Sequence, residues 1–117
     1  MTTNDVLRRT RFVFDFSDTK MIELFGFAEL EVTRAQISNW LKKDDDPAYV
    51  ECTDKELATF LNGLIVDKRG RREGPQPVPE VKLSNNIIFM KLRIALNLKA
   101  EDVLETLQSV DFWLSKH

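Results

Sequence analysis

The first residues whose types and spacing could do chemistry are Arg34, Gln36 and Asn39. They lie in the stretch Val32-Thr33-Arg34-Ala35-Gln36-Ile37-Ser38-Asn39-Trp40-Leu41, which Lys42 and Lys43 close. Arginine can fork onto guanine, glutamine and asparagine carboxamides onto adenine, and lysines neutralise phosphate, so this is the side-chain set of a DNA-reading helix. Other features oppose that reading. The connection from Phe25 to Thr33 exceeds the roughly 3 to 4 residues of a helix-turn-helix turn. Asp44-Asp45-Asp46 would repel phosphate, and the chain carries a net charge of -2. A recognition helix over 33–43 is therefore the alternative function, and nucleic acid is not the favoured partner.

A second set is basic without any spacing suited to base edges: Arg8, Arg9, Arg11, Lys68, Arg69, Arg71 and Arg72. Such a set suits an acidic protein partner or the acidic residues of another copy of the chain. The favoured function is a non-enzymatic protein-protein interaction module with this candidate surface and an unidentified protein partner.

No residue set specifies a reaction. The one histidine is His117, the last residue, so a triad has no internal base. The one cysteine, Cys52, stands between Glu51 and Thr53-Asp54, where neighbouring acids raise a thiol pKa and make a poor nucleophile. There is no HExxH, Cys/His cluster, Walker loop or GxGxxG, and the aspartates at 44–46 lack the spacing of a calcium loop. No catalytic, cofactor-binding or metal-ligating residue is assigned, and no cofactor is expected.

These residues must be positioned by a scaffold that composition constrains. With 117 residues, 43% hydrophobic and 31% charged, the chain can bury a core in one domain without staples. No apolar run approaches the roughly 20 residues of a bilayer span, and the start MTTNDVLRR lacks a signal peptide's apolar region. A lone cysteine agrees with a reducing compartment. The expected location is cytoplasmic, with no membrane partner.

The chain repeats itself. Shifted by 82 positions, the stretch from Asn4 to Phe25 falls on that from Asn86 to Leu107, pairing Val6 with Ile88, Arg9 with Lys91, Arg11 with Arg93 and Ile22 with Leu104. Apolar meets apolar and base meets base, as expected of tandem helical units that hide their apolar faces against each other. The expected fold is all-α, with a first repeat over 1–70, a proline-rich linker over 71–83 and a partial second repeat over 84–117. Counterparts of the third and fourth helices are expected beyond residue 117. The second unit should then pack on the first or on another chain, and a twofold homodimer is the expected form of association.

Local signals place the helices. Thr3 or Asn4 is the expected cap of a helix to Asp15, with Val6, Leu7, Thr10, Val13 and Phe14 as its apolar stripe. Ser17 caps a helix over Asp18–Phe25 that Gly26 ends, with Met21, Ile22 and Phe25 as its buried face. Thr33 with Gln36, and Thr53 with Glu56, have the pattern of capping boxes, predicting helices over Arg34–Lys43 and from Thr53 to Arg69. Gly63 interrupts the second of these, which suggests close approach of another helix, and Gly70 stops it. A fifth helix starts near Ser84 to Asn86, and a sixth covers 100–110.

The run Asn4-Asp5-Val6-Leu7-Arg8 with Arg11, then Trp40-Leu41-Lys42-Lys43, Phe60-Leu61-Asn62-Gly63-Leu64-Ile65 with Lys68-Arg69-Gly70, and Asn85-Asn86-Ile87 with Lys91-Leu92-Arg93-Ile94-Ala95, resembles the YehS-like bacterial proteins. The resemblance covers nearly the whole chain. It implies a bacterial, cytoplasmic, helical protein of two repeats, with no activity assigned to the family. It also implies a second copy of the third and fourth helices in longer members.

Overall fold

The computed structural model describes residues 2–96. Five helices follow one another: α1 (Thr3–Phe14), α2 (Asp18–Phe27), α3 (Arg34–Leu41), α4 (Asp54–Arg69) and α5 (Asn85–Leu96). No strand occurs among the described residues, and the fold is all-α. The expected sixth helix and His117 lie outside the described residues.

Side-chain caps set where the helices begin. Both predicted capping boxes form, Thr33 with Gln36 and Thr53 with Glu56, and Ser17 caps α2. The cap of α1 lies one residue earlier than expected: Thr2, not Thr3 or Asn4, accepts from the Asp5 amide, and the Asp5 carboxylate accepts from the Thr2 amide. This leaves Asn4 free for a tertiary role.

Three helix ends also differ from the sequence expectation. Asp15 takes the left-handed conformation and ends α1 one residue early. Gly26 stays helical inside α2, because the turn is made instead by Glu29 at φ 67°. The third helix stops at Leu41, so Lys42 and Lys43 fall beyond it, Lys42 with extended backbone. Gly70 ends α4 at φ 84°, a conformation that costs glycine little.

The core is one cluster shared by all five helices. At its centre the Phe25 ring of α2 lies 5.3 Å from that of Trp40 on α3 and 5.4 Å from that of Phe60 on α4. Leu24, rather than the expected Ile22, joins Met21 and Phe25 in the buried face of α2. Its carbonyl oxygen lies 1.7 Å from where a Cβ on Gly63 would sit, so α2 crosses α4 backbone to backbone.

Asn4 locks the entry of α1 to the far side of the core. Its Nδ2 donates to the carbonyls of Trp40 at 3.0 Å and Val50 at 2.8 Å, and its Oδ1 accepts from the Cys52 amide at 2.9 Å. One buried carboxamide thereby satisfies the end of α3 and the loop that leads into α4.

The segment over 71–83 is irregular, as its prolines require, but it returns along α4 rather than leading away from it. The Leu83 amide donates to Asp54 at the start of α4, and the Lys91 ammonium donates to Asn62 in its middle. Both bonds span 29 residues, so α5 runs parallel to α4. Ile88, Leu92 and Ala95 complete the common core from this side. Helix α5 therefore packs on α4.

Candidate functional site

The basic set is sorted by its ion pairs. Arg11 of α1 meets Asp18 of α2 at 3.1 Å and donates to the Phe16 carbonyl. Two residues further along α2, Lys20 meets Asp67 of α4 at 2.7 Å, and Lys68 approaches the same carboxylate at 3.7 Å. This chain of charges gathers the end of α1, the start of α2 and the end of α4. The Asp67 carboxylate holds the Lys20 ammonium above its ordinary pKa.

Because α5 is parallel to α4, Arg93 and Ile94 stand level with the C-terminal part of α4. The exposed Arg69 and Arg93 have no carboxylate at ion-pair distance among the described residues. Phe12, beside Arg11, is 75% exposed, and Ile94 is 47% exposed. Bases and bare apolar side chains thus adjoin twice, Arg11 with Phe12 on α1 and Arg93 with Ile94 on α5.

The other predicted bases lie apart. Arg8 pairs with Asp5 one turn earlier on α1. Burial alone would push the Asp5 carboxyl up, but the Thr2 amide and hydroxyl, with the charges of Arg8 and Arg9, hold it below its ordinary value. Arg9 is half-buried. Arg71 donates to the Phe27 carbonyl and approaches Glu29 at 3.8 Å, and Arg72 is exposed beside the proline segment.

The DNA-reading set is not presented as one row. Arg34 donates to the Thr19 hydroxyl at 3.2 Å, and Lys42 folds back onto the Ser38 hydroxyl at 2.8 Å. Gln36 bends over its own first turn, its side-chain oxygen accepting from the Thr33 amide at 2.8 Å. Asn39 is half-buried, and Lys43 is exposed past the helix end. The capping box predicted from the sequence thus competes with base reading for the same glutamine.

Cys52 is 1% exposed, and burial, then Glu56 and Asp54, push its thiol up to about 12. A thiol held protonated to that degree is a poor nucleophile at neutral pH.

Inspection of single motifs missed a buried polar cluster. Lys91 is 7% exposed; its ammonium donates to Asn62 Oδ1 at 2.6 Å and stands 3.0 Å from Glu80 Oε1 as an ion pair. The signal was a lysine at the i+3 position of the stripe Ile88, Leu92, Ala95. Next to this cluster, a cavity of about 250 Å³ opens between the end of α2, α4 and the proline segment.

The profile of a family described as proteins of unknown function (DUF1456) matches residues 3–70 and 85–117. The chain belongs to the DUF1456 family. A curated family relative, the uncharacterized protein YehS of Escherichia coli (strain K12), is 39% identical over 116 residues, covering 98% of this chain and 74% of the relative. The resemblance read from the motifs is thus established for the family, with a bacterial relative. No solved structure matches. The two matched stretches begin at Thr3 and Asn85, the first residues of α1 and α5, and both helices are 12 residues long. No described helix is long and apolar enough to cross a membrane.

Proposed function

We propose that this member of the family is a non-enzymatic helical interaction module whose partner is a protein with an acidic, partly apolar surface. What supports the reading is the pairing of exposed apolar and basic neighbours, Phe12 with Arg11 on α1 and Ile94 with Arg93 on α5. Bare apolar side chains beside cations suit an interface with an apolar centre and a charged rim. The existing ion pair of Arg11 is no obstacle. The exposed Arg11–Asp18 pair is worth roughly 0–1 kcal/mol, so a partner's carboxylate can replace Asp18 at little cost.

The test compares proteins retained from a bacterial lysate by the wild-type chain, by Arg69→Glu with Arg93→Glu, and by Phe12→Ser. All three positions are exposed, so the fold should survive. The reading expects a defined protein whose retention falls with salt and is lost in both variants. An identical retained set in all three samples would remove it. So would salt-dependent binding to duplex DNA that Arg34→Ala with Lys42→Ala abolishes, since that is the signature of the alternative. Light scattering on the purified chain decides whether the acidic partner is a second copy.

A further inference from the structure

We infer that Pro75-Gln76-Pro77-Val78-Pro79 is a docking segment for a protein domain that reads polyproline II through an aromatic-lined groove. This element is separate from the apolar and basic neighbours on α1 and α5 that support the proposed function.

Three of the five residues are prolines, whose rings fix φ at about −65°. Gln76 and Val78 each precede a proline, and the clash with its ring disfavours the helical region for them too. The run is thereby confined to polyproline II, with three residues to a turn and a rise of about 3.1 Å for each. Exposure follows that period. Gln76 and Pro79, one turn apart, are half-buried, whereas Pro75 and Val78, also one turn apart, are exposed, Val78 to 84%. The outward face is thus apolar, and Pro77 beside it is exposed as well.

The fold holds this run at both ends. Before it, Arg71 donates to the Phe27 carbonyl at the end of α2, and the Gln76 carboxamide donates back to the carbonyls of Arg72 at 2.9 Å and Gly74 at 3.3 Å. After it, Glu80 meets Lys91 at 3.0 Å and the Leu83 amide donates to Asp54 at 2.8 Å. Among the described residues no backbone-to-backbone hydrogen bond involves residues 75–80, so the carbonyls of the run are open to a partner's donors.

Those features select one mode of recognition. A partner that added a strand would need amide donors at alternate positions, and Pro75, Pro77 and Pro79 have none. An aromatic groove needs only what the run offers: side chains one turn apart to fill slots between rings, acceptor carbonyls, and a backbone stiffened in advance, which lowers the ordering cost of binding.

The experiment titrates a panel of isotope-labelled SH3 and WW domains with the unlabelled full chain, followed by NMR. Two variants remove the contact and keep the fold, since they change exposed side chains: Val78→Asp, and Pro75→Ala with Pro77→Ala. Unchanged thermal midpoints verify that. The inference expects at least one domain to bind, with shifts centred on its groove aromatics, and each variant to weaken binding at least about tenfold, as loss of a buried apolar side chain does. No shift in any domain at millimolar chain overturns it. So do shifts away from the groove, or binding that both variants leave unchanged. Phe12→Ser, and Arg69→Glu with Arg93→Glu, should bind the domain normally, so failure here and failure of the proposed interface are distinguishable.

Discussion

The Lys91 ammonium on α5 donates to the Asn62 carboxamide of α4 at 2.6 Å, in the middle of the helix pair that joins the two halves of the chain. Glu80 balances the charge from the proline segment at 3.0 Å. A lysine in a core stripe is tolerated only when its charge is matched and its donors are used. Lys91→Met leaves Glu80 without its cation and Asn62 Oδ1 without its donor, and should cost about 2–4 kcal/mol in urea unfolding. Adding Glu80→Gln should recover part of that loss. A single variant within about 0.5 kcal/mol of wild type would show that the cluster does not hold α5 in place.

Gly63 tests the crossing of α2 and α4. In an isolated helix, glycine to alanine would gain about 1 kcal/mol. Here the new Cβ would lie 1.7 Å from the Leu24 carbonyl oxygen, a backbone atom that moves only with α2. Gly63→Ala should therefore destabilise by at least about 2 kcal/mol, since overpacking outweighs the propensity gain. Thermal unfolding by circular dichroism reads the sign directly, and a higher midpoint would refute the close approach.

Features that depend on neighbours in sequence were legible before the structure. The capping boxes at Thr33 and Thr53 needed only three-residue spacing, and Gly63 stood out as a flaw in an otherwise regular apolar period. The base-for-base pairing of Arg9 with Lys91 was visible too, but not its meaning, because burial of Lys91 depends on Asn62 and Glu80, 29 and 11 positions away. The segment over 71–83 has no helical period in its sequence and holds no helix. Its course back along α4 could not be read from composition, since prolines specify stiffness and not direction. The basic set was legible as a count of charges; which of its members share one end follows from the pairs Arg11–Asp18 and Lys20–Asp67.

The Cys52 thiol predicts an alkaline weakness. It would ionise near 9.0 in the unfolded chain and is held protonated to about 12 in the fold. Between those values the unfolded state binds fewer protons than the native state, so stability falls as pH rises, by up to about 1.4 kcal/mol per pH unit. Below pH 9 this loss is absent. Tyr49, whose phenol is also raised by burial and nearby acids, contributes with the same sign. Denaturation curves at increasing pH should fall less steeply for Cys52→Ala than for wild type. Parallel slopes would show that the thiol ionises as freely in the fold as outside it.

Asn4 and Asn86 fall on each other when the sequence is shifted by 82 positions, and their surroundings differ completely. Asn4 is 1% exposed and joins Trp40, Val50 and Cys52 through three hydrogen bonds. Asn86 is exposed in the first turn of α5. Asn4→Ala strands two carbonyls and one amide in the core and should cost about 2–4 kcal/mol, taking roughly 1 kcal/mol or more for each broken bond. Asn86→Ala should change stability by no more than about 0.5 kcal/mol, as for other exposed positions. The measurement is paired guanidinium unfolding of the two variants at equal protein concentration. If the Asn86 variant lost as much as the Asn4 variant, its carboxamide would have to be buried against something in solution. If both were neutral, the three bonds that tie α1 to α3 and to the start of α4 would carry no weight in the fold.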